Sequence, residues 1–203
     1  PLYFEENVLP PHSDHKYYGS EAELASGCSS FTYSLNGLWH IHVARNLAER
    51  PEGFEASDYD CHSWDTIAVP AHIQMEGYGK PHYTNTTYPW DGHESIVPGE
   101  LPQENPVASY VKYFAVPEGW QDLRISFQGA ETALAVWLNG HFVGYSEDSF
   151  TPSDFDLTPY VQAGENKLAV QVFRFASGSW LEGQDFWRFS GLFRGAFSTT
   201  SSI

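Results

Sequence analysis

From Tyr33 onward the chain breaks into short runs in which apolar and polar residues often alternate, the period of a half-buried β-strand. Leu38–Val43, Thr66–Val69, Ser109–Val116, Leu123–Gln128, Ala133–Asn139, Phe142–Tyr145, Lys167–Phe175 and Gly191–Ser198 are rich in Val, Ile, Phe, Tyr and Trp. Gly, Pro, Asn and Asp bound these runs. In Ala133–Leu138 both faces are apolar, which predicts a central strand between two layers. Asn139-Gly140 follows it and predicts a type I′ hairpin, because both positions of that turn need positive φ. Gly164-Glu165-Asn166 predicts a turn into the strand Lys167–Phe175. Long amphipathic helices are absent from the pattern. Short helical turns are expected near Glu21–Ala25 and at Asp156–Val161, where Asp154 or Asp156 can cap. Many short strands with frequent turn signals describe an all-β chain, a β-sandwich of jelly-roll type.

The first thirty residues hold Pro10, Pro11 and scattered His and Ser with little periodicity. Residues 1–30 are therefore expected to form an extended N-terminal arm, and residues 31–203 the sandwich. The stretch Ala71–Pro106 contains Gly, Pro, His, Tyr and Asn and lacks strand periodicity. A loop of this length inside a compact domain points to function.

Charge narrows the choice of partner. Acidic residues outnumber basic ones 26 to 10, for a formal charge of −16. That field repels phosphate backbones and anionic lipid, so neither nucleic acid nor a membrane surface is an expected partner. Seven Trp, 12 Tyr and 14 Phe suit stacking against the C–H faces of sugars, although filling a core demands the same residues. Cys28 and Cys61 match no metal-ligand spacing and are too few for a disulfide framework, so free thiols are expected. No run is apolar enough to span a bilayer and no secretory leader is evident, which makes the cytoplasm the expected location.

The common catalytic signatures are missing: no phosphate-binding Gly-rich loop, no Gly-x-Ser-x-Gly elbow and no His-Glu-x-x-His. His40 and His42 share a strand face but lack a third ligand, which favours solvated or core histidines over a metal pair. Glu5/Glu6, Glu147/Asp148 and Asp154/Asp156 read as turn and surface charges. Two segments say more. One is Val69-Pro70-Ala71-His72-Ile73-Gln74-Met75-Glu76-Gly77-Tyr78, followed by Pro81-His82-Tyr83-Thr84-Asn85-Thr86-Thr87-Tyr88-Pro89. The other runs from Gly178 to Arg194 and contains Gln184-Asp185-Phe186-Trp187-Arg188-Phe189-Ser190-Gly191-Leu192-Phe193-Arg194. With Ser34-Leu35-Asn36-Gly37-Leu38-Trp39 and Asn139-Gly140, these strings closely resemble the N-terminal sugar-binding domain of glycoside hydrolase family 2. Within that family the likeness is best to the large bacterial β-galactosidases, and it extends from Pro10-Pro11-His12 to Arg194.

The resemblance implies a galactose-binding-domain-like jelly roll that packs, in a longer parent, against an immunoglobulin-like domain and a TIM barrel. The barrel carries the two catalytic glutamates, so no catalytic residue is expected on this chain. The implied substrate is a terminal β-D-galactoside such as lactose, hydrolysed with retention by a homo-oligomer that depends on Na+ and Mg2+. Two residues match the family positions one by one. Asn85 matches an asparagine on a loop that reaches the sugar subsite, where an amide can donate and accept at once. The alternative is a turn asparagine bonded to nearby backbone. Asp185 matches an aspartate that contacts both the galactosyl group and sodium. Its alternative is an ion pair with Arg188. Trp187 and Phe193 are expected in the core, and Trp180 faces either sugar or a neighbouring domain. A free-standing carbohydrate-binding module, a pure interaction domain and the front domain of a β-glucuronidase or β-mannosidase are the competing readings.

Overall fold

The computed structural model describes residues 3–13, 15–181 and 185–200. Its strands, in chain order, are β1 (Glu5–Glu6), β2 (Thr32–Ser34), β3 (Gly37–Ala44), β4 (Asp65–Val69) and β5 (His82–Thr84). They continue with β6 (Val107–Ala115), β7 (Arg124–Phe127), β8 (Ala133–Leu138), β9 (His141–Ser146) and β10 (Ser153–Asp156). The last three are β11 (Glu165–Phe173), β12 (Phe186–Arg188) and β13 (Ala196–Thr199). A short helix, α1 (Glu21–Ser26), has Ser20 as its N-cap and the left-handed Gly27 as its C-cap.

The chain is an all-β sandwich, as its periodicity predicts. Among the described residues the large sheet runs β1-β9-β8-β11-β6-β3-β4, and the small sheet β10-β7-β13-β2. Neighbouring strands pair antiparallel throughout. Trp39, Ile41, Tyr110, Leu134, Val136, Leu168 and Val170 from the large sheet meet Ile125, Phe127, Phe155 and Ala196 from the small one. Each is nearly sealed from solvent, and burial of each of the larger side chains contributes about 1.5–3 kcal/mol. The other face of the large sheet is also covered. Phe54 and Cys61, on the segment between β3 and β4, pack there on Val111 and Ala169, with Trp64 and Trp137 around them. This second layer is why β8 is apolar on both faces.

A buried cation pins that layer. Lys167 is 4% exposed, and its ammonium donates to the carbonyl oxygens of Phe54 (2.7 Å), Ala56 (2.7 Å) and Tyr59 (2.6 Å). Three acceptors match the three N–H donors, so the charge is hydrogen-bonded although burial lowers its pKa.

The predicted turns appear. Asn139 and Gly140 have φ of 52° and 83°, and they join β8 to β9. The Asn139 side chain donates to Asn166 Oδ1 at 2.8 Å, which ties this hairpin to the turn that opens β11. Asp156 Oδ1 accepts from the Thr158 N–H at 2.9 Å at the start of a 3-10 turn over Thr158–Tyr160. Cys28 and Cys61 are free thiols. No helix among the described residues is long and apolar enough to cross a membrane. In the arm, β1 adds to the edge of the large sheet through Glu5↔Ser146 and Glu6↔Tyr145.

Two expectations need correction. The strand predicted over Gly191–Ser198 is formed only over Ala196–Thr199. Residues 189–195 instead cross the end of the sandwich, because Gly191, at φ 114°, breaks the extended path. Glu131 and Gly191 exchange both backbone hydrogen bonds at 3.1 Å across this crossing. The stretch Ala71–Pro106 is not all loop: it holds a 3-10 turn at Ile73–Glu76 and the strand β5.

Gly191 sits where a side chain has no room. A Cβ there would lie 2.9 Å from Tyr110 Oη and 3.0 Å from both Ala71 O and Ile73 Cγ2. Gly191→Ala should therefore lower unfolding stability by about 2–4 kcal/mol, combining backbone strain with overpacking. Urea unfolding followed by tryptophan fluorescence measures this, and an unchanged midpoint would mean that the crossing yields without cost.

Candidate functional site

The two sequence segments singled out above run antiparallel to each other across one end of the sandwich. Ala71 N–H donates to Leu192 O at 2.9 Å, and Ile73 N–H to Ser190 O at 3.0 Å. The Gln74 side chain closes the pairing in both directions. Its Nε2 donates to Ser190 Oγ at 2.8 Å, and its Oε1 accepts from Ser190 N–H at 2.9 Å. Both residues are buried, so water does not compete for these bonds. The His72 ring lies between Phe189 and Phe193, at centroid distances of 4.5 and 5.1 Å. Burial holds its pKa below the usual histidine value.

After the 3-10 turn and the loop up to residue 81 the segments pair again, β5 with β12, in the register His82↔Arg188, Tyr83↔Trp187 and Thr84↔Phe186. Arg174 supports this ribbon from the sandwich, with Nη2 donating to Lys80 O at 3.1 Å and Arg188 O at 3.2 Å. One step beyond the ladder, Asp185 N–H donates to Asn85 O at 2.9 Å. Pairing between strands thus brings together Asn85 and Asp185, the two residues picked out in sequence. Thr84 and Arg188 turn inward, 4% and 8% exposed, while Tyr83 and Trp187 face out at 45% and 53%. Asn85 follows the end of β5, and the Tyr83 hydroxyl donates to Asp185 Oδ1. The outer face of the ribbon therefore presents a carboxylate and two aromatic rings, with the Asn85 amide exposed at its end and Asp185 exposed beside it.

The alternative named for Asp185 is not formed. The ion pairs formed among the described residues do not include Asp185 with Arg188. The Arg188 guanidinium lies over the Phe186 ring at 5.8 Å. Trp187, expected in the core, is more than half exposed, because β12 belongs to a surface ribbon rather than to a sandwich sheet. Phe193 is half-buried against His72 and Phe150. Trp180 packs on Trp90 and Tyr88, with Nε1 donating to Glu100 O at 2.8 Å. Gln184, beside Asp185, lies outside the described residues.

Sequence reasoning missed Tyr83 and Gln74. Both stand inside the quoted strings, but only the pairing of β5 with β12 shows what they touch. His40 and His42 point outward from the large sheet. His40 meets the rings of His62 (5.4 Å) and Tyr113 (5.8 Å), and His42 that of Trp64 (5.4 Å). No group of three or more His, Cys, Asp or Glu side chains able to hold a metal occurs among the described residues.

Residues 32–200 match the family described as glycosyl hydrolases family 2, sugar binding domain. The chain is 57% identical over 201 residues to a β-galactosidase of Halalkalibacterium halodurans, covering 97% of this chain and 20% of that protein. It is 50% identical over 196 residues to a β-galactosidase of Lactobacillus delbrueckii subsp. bulgaricus, covering 96% of this chain and 19% of that protein. Among solved structures, a β-glycosidase from Bacteroides vulgatus aligns with a TM-score of 0.60 at 26% identity, over 84% of this chain and 20% of that one. The chain thus spans about one fifth of the length of these relatives.

If the Gln74 amide holds the ribbon in place, Gln74→Leu leaves the Ser190 N–H buried without its acceptor, at a cost of about 1–3 kcal/mol. The loss should be local. Amide hydrogen exchange should speed up roughly tenfold or more at Asp185 and through β12, while β6 and β11 keep their protection. Uniform acceleration across all strands would mean instead that the clasp serves global stability.

Proposed function

This chain belongs to the sugar-binding domain family of the family 2 glycosyl hydrolases, and from that premise we propose that it is the front domain of a β-galactosidase. In this reading the arm (residues 1–30) and the sandwich (residues 31–203) precede the domains that carry the catalytic glutamates. The parent hydrolyses terminal β-D-galactosides with retention, and the sandwich contributes Asn85 and Asp185 to the galactosyl subsite. The observation that carries the proposal is the Asp185 N–H to Asn85 O bond, which sets side by side two polar residues a hundred positions apart.

The chemistry fits a sugar. Neighbouring hydroxyls each donate and accept, and an amide beside a carboxylate offers both functions at a fixed spacing. A retaining mechanism needs two carboxylates about 5–5.5 Å apart. Among the described residues Asp185 is the carboxylate that the ribbon's outer face presents, and its Oδ1 already accepts from a tyrosine hydroxyl. On the family resemblance the two catalytic groups are assigned to the barrel of the parent, and the isolated chain is expected to be inactive.

Sodium fits Asp185 in part. An exposed carboxylate suits a hard cation, but one side chain is not a shell, so the remaining oxygens would come from other domains or from substrate. When bound, the ion would supply positive charge that orients a sugar hydroxyl oxygen. No residue of this chain is assigned to magnesium, which is placed with the other domains. A cytoplasmic location belongs to the same reading.

Two substitutions in the full-length parent test the reading. Asn85→Ala should leave folding intact and reduce kcat/KM by the value of one substrate hydrogen bond, about 1–3 kcal/mol. Unchanged kinetics on lactose and on an aryl galactoside would remove Asn85 from the subsite.

Asp185→Asn keeps the shape and one neutral oxygen but loses the charge. The sodium dependence of kcat/KM should weaken sharply, since anionic oxygen provides most of the attraction for a hard cation. Activity should fall further than for Asn85→Ala, because one change damages two interactions. Sodium curves that superimpose on those of the wild type would rule out a ligand role.

A further inference from the structure

The ribbon carries a third polar group that neither the sequence strings nor the family reading singles out. Tyr83 stands opposite Trp187 in the ladder, and its hydroxyl donates to Asp185 Oδ1. We propose that Tyr83 is a positioning residue of the site. It tethers one oxygen of Asp185, so that Oδ2 stands free toward ligand with its negative charge intact. This rests on the reading of Asp185 given above and extends it to a residue that need not touch sugar or cation.

Three features make the tether rigid. The Tyr83 ring packs on Trp187 at a centroid distance of 5.5 Å and an interplanar angle of 55°. The next residue, Thr84, is buried and paired with Phe186, so the strand that carries the tyrosine cannot slide. Asp185 itself is held by its backbone, with φ at 48° and its N–H on Asn85 O. What remains loose in an exposed aspartate is rotation of the side chain, and a donor on Oδ1 removes it.

The chemical identity of the donor matters. An arginine or lysine at this place would also hold the carboxylate, but it would cancel the charge that a cation needs. A tyrosine hydroxyl is neutral and offers one hydrogen, so it fixes the geometry and leaves the charge available. Nearby Arg188 is turned into the protein, with its guanidinium over Phe186.

The test is a double-mutant cycle in the full-length parent, read as sodium activation of aryl-galactoside hydrolysis. Tyr83→Phe keeps the ring packing and removes only the hydroxyl. It should raise the sodium concentration for half-activation roughly tenfold, the scale of one hydrogen bond to a charged group, with the lost rate partly recovered as sodium rises. In the Asp185→Asn background the same change should add little, because its target is gone. A Tyr83→Phe curve that superimposes on the wild type, while Asp185→Asn loses its sodium response, would overturn the tether and leave Asp185 as a ligand. An undiminished Tyr83→Phe effect in the Asp185→Asn background would also overturn it, by showing that the hydroxyl acts elsewhere. A wild-type sodium response in Asp185→Asn would rule out the ligand role of Asp185, and the tether's purpose with it.

Discussion

The reciprocal bonds between the Gln74 amide and Ser190 are the constraint on which the candidate site depends. Neither β5 nor β12 belongs to a sandwich sheet, and each is only three residues long. A two-stranded ribbon of that size has no independent stability in water. It persists because each strand leaves the sandwich from a crossing that is already locked, by Ala71 on Leu192, Ile73 on Ser190, and Gln74 on the hydroxyl and N–H of Ser190. Gly191, seated over Tyr110 and paired with Glu131, connects that crossing to the core. Order thus passes outward from the packed sheets, through buried backbone pairs, to two exposed polar residues.

Such an arrangement separates stability from recognition. The groups that hold the crossing are buried and mutually satisfied, whereas Tyr83, Asn85, Asp185 and Trp187 are all exposed. Substitution on the outer face removes little packing, so the polar groups presented there can change at small cost to the fold. Changes at Ser190, Gln74 or Gly191 act the other way. They lie within the crossing and alter where the exposed polar groups of the outer face stand.

The sandwich was legible in the sequence because its strands are long enough for alternation to show, and because turns such as Asn139-Gly140 have chemistry of their own. The ribbon was not legible as structure. Three-residue strands carry no measurable period, and their pairing depends on partners a hundred residues away. The same limit displaced the final strand: Leu192 and Phe193 are apolar, but they serve the crossing, and the strand begins only at Ala196. Trp187 was misplaced for a related reason. Its size suggests a core, yet its strand stands outside both sheets. Asn85 and Asp185 were found through their match to family strings, and neither periodicity nor composition marks them. The strings likewise contain Tyr83 and Gln74, but the roles of those two emerge only from contacts.

The long stretch after Asn85 is held as firmly as the ribbon, which bears on how a ligand would meet the site. Trp90 is buried at its start, in contact with Trp180 and Phe175. Glu94 accepts the N–H groups of Gln103 and Glu104 at 2.7 and 3.0 Å, which folds the stretch back on itself. Asn105 closes it by exchanging two hydrogen bonds with the backbone of Phe175, at 2.8 and 2.9 Å. These bonds tie the segment that follows Asn85 to the one that holds Phe175 and Trp180, and together they form a fixed wall. Such a wall is suited to presenting polar groups at a set spacing, and poorly suited to closing over a ligand. On the proposed reading, the cover over the exposed Tyr83 and Trp187 rings therefore comes from other domains of the parent, and this domain contributes one rigid side of a shared site.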